Sequence, residues 1–142
     1  MKGKVQSVEV SYFTQATEDG ERVNKTVASF FGINSSPEET PMEGHFGNSI
    51  VGVRYHVTGT EASDVFERLV SSLSSVVREE VKRDIPRLVD EHSALYLRLD
   101  KQEILGGRAV LSGTGAVRVK VKPRLVNLRQ GAQAFYLGAL GG

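Results

Sequence analysis

Between Ala116 and Pro123 the chain reads Ala-Val-Arg-Val-Lys-Val-Lys-Pro, with valine and a cation alternating at every step. A period of two sends successive side chains to opposite faces of a β-strand. Val117, Val119 and Val121 then share one face, and Arg118, Lys120 and Lys122 the other. A helix of 3.6 residues per turn would scatter the valines around its circumference, so the segment requires a sheet with one buried and one solvated face.

Three more segments carry the same alternation. From Lys4 to Thr14, Val8, Val10 and Tyr12 oppose Glu9, Ser11 and Phe13; over Ile50–Thr58, Val51, Val53, Tyr55 and Val57 oppose Arg54 and His56; over 94–101, Leu95, Leu97 and Leu99 oppose Tyr96, Arg98 and Asp100. Helical spacing fills the intervals. Val23, Val27 and Phe30/Phe31 follow a cap expected at Thr17 and stop at Gly32, which suits a C′ position. A long helical region runs from about 61 to 91, with Ala62, Val65/Phe66, Leu69, Leu73 and Val76/Val77 as its stripe. Pro86 interrupts or kinks it, and two helices broken near Ser72–Ser75 fit as well as one. A weaker helix is expected at 127–140, residues 33–49 read as a loop, and Gly106-Gly107 and Ser112–Gly115 read as turns, the latter a hairpin turn. The order β-α-β-α(α)-β-β-α predicts one α+β domain over residues 1–142, with a mixed or antiparallel sheet and helices packed on one face.

Composition narrows the function. With no cysteine, the 142-residue chain has no disulfide scaffold, thiolate metal site or thiol nucleophile. Its longest apolar stretches, such as 134–140, fall far short of the roughly 20 residues of a spanning helix, and Met1-Lys-Gly-Lys starts no signal peptide. No membrane association and a cytoplasmic location are expected. Net charge is only +1, but it is divided unevenly. Residues 1–92 carry 10 Lys and Arg against 15 Asp and Glu, whereas residues 93–142 carry 8 against Asp100 and Glu103. The halves stand at −5 and +6, which points to an anionic partner for the second.

If the strands share one sheet, the solvated face collects Arg54, His56, Tyr96, Arg98, Arg118, Lys120 and Lys122, with Lys101, Arg108, Arg124 and Arg129 nearby. Opposed like charges cost up to about 1 kcal/mol per pair. Such a face suits phosphates, with aromatic rings to stack unpaired bases. For a single such strand a solvated face that keeps the sheet soluble is the better reading, and the further cations Lys101, Arg108, Arg124 and Arg129 bring the two level. In the loop Glu43-Gly-His-Phe-Gly-Asn48, His45, Phe46 and Asn48 are positioned either to meet a ligand or to pin the loop, with Phe46 in the core. His45, His56 and His92 have no metal-ligand spacing, and Gly113-Thr-Gly115 lacks a phosphate-loop pattern, so neither catalytic residue, metal nor cofactor is expected.

Three segments together, Thr14-Gln-Ala-Thr-Glu-Asp19, Glu43-Gly-His-Phe-Gly-Asn48 and Leu95-Tyr-Leu-Arg-Leu-Asp-Lys-Gln-Glu103 with the basic strand after it, resemble a family of small archaeal RNA-binding proteins described as predicted exosome subunits. The resemblance covers nearly the whole chain. It implies a ribosomal protein L5-like α+β fold, an archaeal cytoplasm and RNA metabolism, with His45, Gly47 and Asn48 and then Arg98, Asp100 and Lys101 as the matching positions. Ser49 stands where the family usually has proline.

The expectation is thus a non-enzymatic RNA-binding module. Phosphates would meet Arg98, Lys101, Arg118, Lys120, Lys122 and Arg124, with Arg54, His45 and Asn48 as further contacts and Tyr96 or Phe46 stacking a base. Its rivals are a homodimer or other protein-interaction module, whose basic face meets acids such as Glu38, Glu39 and Glu43 of a partner chain, and a metal-dependent phosphodiesterase using Asp100. Exosome components are the partners the resemblance adds to RNA.

Overall fold

The computed structural model describes residues 4–114, 116–124 and 131–141. In chain order these form β1 (Val5–Gln15), α1 (Gly20–Phe31), β2 (Glu38–Glu43), β3 (Ser49–Thr58), α2 (Gly59–Ser72), α3 (Ser75–Leu88), β4 (Leu95–Asp100), α4 (Lys101–Leu105), β5 (Ala116–Pro123) and α5 (Ala132–Ala139). The strands make one five-stranded antiparallel sheet in the order β2-β3-β1-β5-β4, so the fold is α+β, as the alternation predicts.

The apolar parities align across the strands. Val10 of β1 faces Tyr55 of β3 and Val119 of β5, and Val119 in turn faces Leu97 of β4. All four side chains are buried, together with Val27 and Phe31 of α1, Phe66 and Leu69 of α2 and Val81 and Ile85 of α3. The helices therefore cover one face of the sheet and leave the other to solvent. Tyr12 donates its hydroxyl to Asn24 Oδ1 at 2.6 Å and Tyr55 to the Asn24 carbonyl at 3.1 Å, so one residue of α1 ties two strands. Burial drives the Tyr12 and Tyr136 hydroxyls far above their usual range, which leaves both as neutral donors.

Three expectations need correction, and one short helix is added before a turn that stands as expected. Asp19, not Thr17, caps α1: its carboxylate accepts from the Arg22 N–H, while Gly32 closes the helix at φ 72°. Residues 33–49 are not all loop, because β2 pairs with β3 as an edge strand. All six of its residues are exposed, so no apolar alternation betrays it. The turn at Gly106-Gly107 ends a short helix, α4, whose N-cap Asp100 accepts from the Glu103 N–H at 2.9 Å. Ser112–Thr114 is a crossover and not a hairpin turn, since Leu111 bridges Leu99 on the side of β4 away from β5.

The long helical region divides at Leu73-Ser74, and Ser74 caps α3. Pro86 falls in the last turn of α3, where the helix is about to end. Of the helix expected at 127–140, residues 127–130 and Arg129 lie outside the described residues, and α5 begins at Ala132. Tyr136 anchors it: the ring is fully buried against Phe66, and the hydroxyl donates to the carbonyls of Ser93 and Val121 at 2.7 and 3.1 Å. Tyr136→Phe is expected to lower stability by about 1–2 kcal/mol with an unchanged urea m-value, checked by urea unfolding.

Candidate nucleic-acid interface

The open face is organised in rows by the strand register. One row runs Glu38, Arg54, Ser11, Arg118 and Arg98 from β2 across to β4. The next runs His56, Glu9, Lys120 and Tyr96, and beyond it lie Thr58, Ser7 and Lys122. Arg98 and Arg118 are direct cross-strand partners, and the Lys120 ammonium sits 5.6 Å from the centre of the Tyr96 ring. Among the described residues no ion pair forms at Arg98, Arg118, Lys120, Lys122 or Arg124. A shallow cavity of about 400 Å³ opens over Glu9, Ser11, Tyr96, Arg98, Arg118 and Lys120, with the Glu9 carboxylate engaged by Arg54.

Adjacent strands β4 and β5 thus bring four of the expected cations together with Tyr96. Arg124 is exposed just past the end of β5. Arg54 is different. Its guanidinium contacts Glu9 at 3.0 Å and Glu38 at 3.4 Å, so two carboxylates already compensate it.

Lys101 is also drawn into the fold. Its side chain is only 13% exposed, and its ammonium donates to Glu18 Oε1 at 2.7 Å and to the Phe13 carbonyl at 2.8 Å. Partial burial pushes the Glu18 carboxyl up, but the Lys101 ammonium and the Gln15 N–H outweigh it and hold the group below the usual glutamate range. Asp100 spends a carboxylate oxygen on the α4 cap, and no cluster of three or more His, Asp or Glu able to hold a metal occurs among the described residues.

The loop 43–48 is the tip of the β2–β3 hairpin, closed by Gly44 N–H to the Asn48 carbonyl at 2.7 Å and by Gly47 at φ 78°. Phe46 is not in the core: it is 91% exposed, edge-on to the His45 ring at 4.8 Å. Asn48 Nδ2 donates to Gln15 Oε1 at 3.4 Å. The tip lies at the Ser49 end of β3, whereas Lys122 lies level with its Thr58 end, so the structure does not gather His45 and Asn48 with Lys122 and Arg124.

Phe13 has the parity of the open face but is absent from the residues that sequence reasoning selects for the site. It stands half-exposed on the central strand, opposite Gly52. An aromatic on the solvated parity of a strand is the signal that could have found it.

A half-open antiparallel sheet with a cationic, aromatic-bearing face has the features of a nucleic-acid-binding module. Residues 7–123 match the protein-family model described as RNA binding, and the chain belongs to that family. It is 30% identical over 141 residues to the RNA-binding protein PAB1135 of Pyrococcus abyssi, covering 93% of this chain and 92% of that one. Among solved structures it is similar to AF2318 of Archaeglobus fulgidus, with TM-score 0.79 at 24% identity over 96% and 99% of the two chains. It is equally similar to Mth689 of Methanothermobacter thermautotrophicus, with TM-score 0.78 at 24% identity over 96% and 98%. The structural likenesses establish the fold.

The Lys101–Glu18 pair yields a pH-dependent expectation. Lys101→Met should lower stability by about 1.5–3 kcal/mol at neutral pH. Because Glu18 is held below the ordinary value of 4.5, its contribution is complete above that pH and is lost as pH falls through the lowered value. Urea unfolding from pH 7 down to pH 3 should show the gap between the two proteins narrowing only below about 4.5.

Proposed function

We propose that the chain is a non-enzymatic RNA-binding module that takes hold of RNA phosphates on the β4–β5 half of its open face. The observation that carries this reading is the direct pairing of Arg98 with Arg118 beside Lys120, with no carboxylate in ion-pair contact among the described residues. Side-by-side guanidinium groups cost up to about 1 kcal/mol in a free sheet, and a phosphate between them removes that cost. Phosphate contacts fall to Arg98, Arg118, Lys120, Lys122 and Arg124, and Tyr96 offers a ring beside them. Arg54 and Lys101 act in the fold, by the pairs they already make. Family membership and the name of the Pyrococcus abyssi relative agree with RNA as the polyanion. A place in an archaeal cytoplasm, association with an exosome and likeness to ribosomal protein L5 belong to the proposal on the family resemblance alone.

Binding held by phosphate contacts weakens steeply with salt. In a gel shift at two salt concentrations, Lys120→Glu/Lys122→Glu is expected to lose at least about tenfold in affinity. Its log–log salt slope should shrink by about 1.4, from ~0.7 per lost contact on a single strand. Unchanged affinity would remove the sheet face from the interface. Salt-sensitive self-association without RNA, seen by size-exclusion chromatography, would assign the face to a second copy instead.

A further inference from the structure

At the β2 side of the phosphate face the sheet changes character. Phe13 projects from the central strand on the solvent side and is 50% exposed. Its neighbour on β3 is Gly52, and Ala116 of β5 lines the same cavity. The ring is thereby flanked by a hydrogen and a methyl group, where ordinary strand residues would wall it in. Met42 reaches in from β2. A Cβ at Gly52 would meet Met42 Cε at 3.2 Å and Phe13 Cε1 at 3.6 Å, so the glycine lets the two apolar groups close over the strand. Phe13, Met42 and Gly52 thus form the apolar part of a cavity of about 410 Å³, with Phe13 and Met42 both exposed. That volume falls within the ~300–1,000 Å³ of small-ligand sites.

The rim of the cavity is polar. Ser11 and Thr40 bring hydroxyls and Glu38 a carboxylate, and Arg54 and Arg118 stand on either side of Ser11. Arg54 is already compensated by Glu9 and Glu38, whereas Arg118 faces Arg98 and makes no ion pair among the described residues. An occupant therefore needs a flat, apolar, hydrogen-bonding moiety for Phe13 and Met42, and an anionic group for Arg118, which lies one strand over and two residues along from Phe13. A nucleotide has both. Its base also needs to be out of a duplex, since paired bases present no free face to a ring.

We infer that Phe13 and Met42, brought together over Gly52, form a stacking platform for one unpaired base of a single-stranded RNA whose adjoining phosphate lies on Arg118. This rests on the RNA-binding reading above and adds strandedness to it: the preferred ligand is single-stranded.

The chain has no tryptophan, so Phe13→Trp places the single indole of the protein on the platform, excitable apart from the tyrosines, while keeping a ring to stack. Titration with a single-stranded oligoribonucleotide is expected to quench this fluorescence, and an abasic oligonucleotide of equal length, which has the phosphates without the bases, is not. By fluorescence anisotropy of labelled RNA, Phe13→Ala should weaken single-strand binding by about 5- to 150-fold, the range for loss of one stacked base, and leave duplex and abasic binding unchanged. Circular dichroism checks that Phe13→Ala folds; if it does not, Phe13→Trp carries the test alone. Equal single-strand affinity of wild type and a folded Phe13→Ala, or unquenched indole fluorescence of Phe13→Trp at saturating RNA, overturns the platform but not phosphate binding. Failure of the wild type to bind any RNA overturns the underlying reading as well. Self-association in the absence of RNA that is abolished by Phe13→Ala would overturn the platform in favour of a second copy.

Discussion

The register of β1 against both neighbours is the constraint on which the rest depends. β1 is the central strand, and each of its residues fixes a position on β3 and on β5 at once: Val10 meets Tyr55 and Val119, and Ser11 meets Arg54 and Arg118. A slip of one residue would turn Val8, Val10 and Tyr12 to solvent and drive Glu9 and Ser11 under the helices. Burial of these three large side chains makes the register strongly specified, at about 1.5–3 kcal/mol for each side chain kept from water. The rows of the open face inherit it. Arg98 stands across from Arg118 because the leucines and valines on either side of them along β4 and β5 must face the helices, not because the arginines attract.

Charge on this face is consequently arranged by the core and then tuned locally. Glu9 stands in the same row as Lys120 and compensates Arg54, so the β3 side is close to neutral. Among the described residues no carboxylate pairs with Arg98 or Arg118 on the β4–β5 side, where the two arginines are cross-strand partners. The sheet thereby divides into a cationic half and a half whose distinctive feature is apolar, around Phe13 and Gly52. On the proposed reading, phosphate and base take separate places on neighbouring strands.

Much of the fold is legible in the sequence because period-two alternation survives wherever one face of a strand is buried. β1, β3, β4 and β5 carry it, and the parity of their polar residues places Arg98, Arg118, Lys120 and Lys122 on one surface. β2 lies beyond the helices, both its faces meet water, and nothing selects apolar residues there, so Glu38–Glu43 read as loop. α4 has five residues, too few for a stripe. The roles of Lys101 and Arg54 are hidden for another reason. The partner of Lys101 is Glu18, 83 positions earlier, and no local pattern announces an ion pair assembled by the tertiary fold. Phe13 escapes notice because a ring on a polar parity is a weak signal until the glycine and alanine beside it are seen in space.

The two borders of the sheet are unequal. Along β4, Val89 bridges Leu95 at one end, and at the other the Asp100 N–H donates to the Val110 carbonyl and the Ser112 N–H to the Arg98 carbonyl. The chain's own backbone thus covers both ends of this border. At β2, Pro41 withholds a donor and Glu38, Glu39 and Glu43 are exposed, which discourages a stranger's strand from docking there. Growth by strand addition is therefore obstructed on one side and penalised on the other. Copies of the chain that come close together are thereby discouraged from joining edge to edge into a continuous sheet.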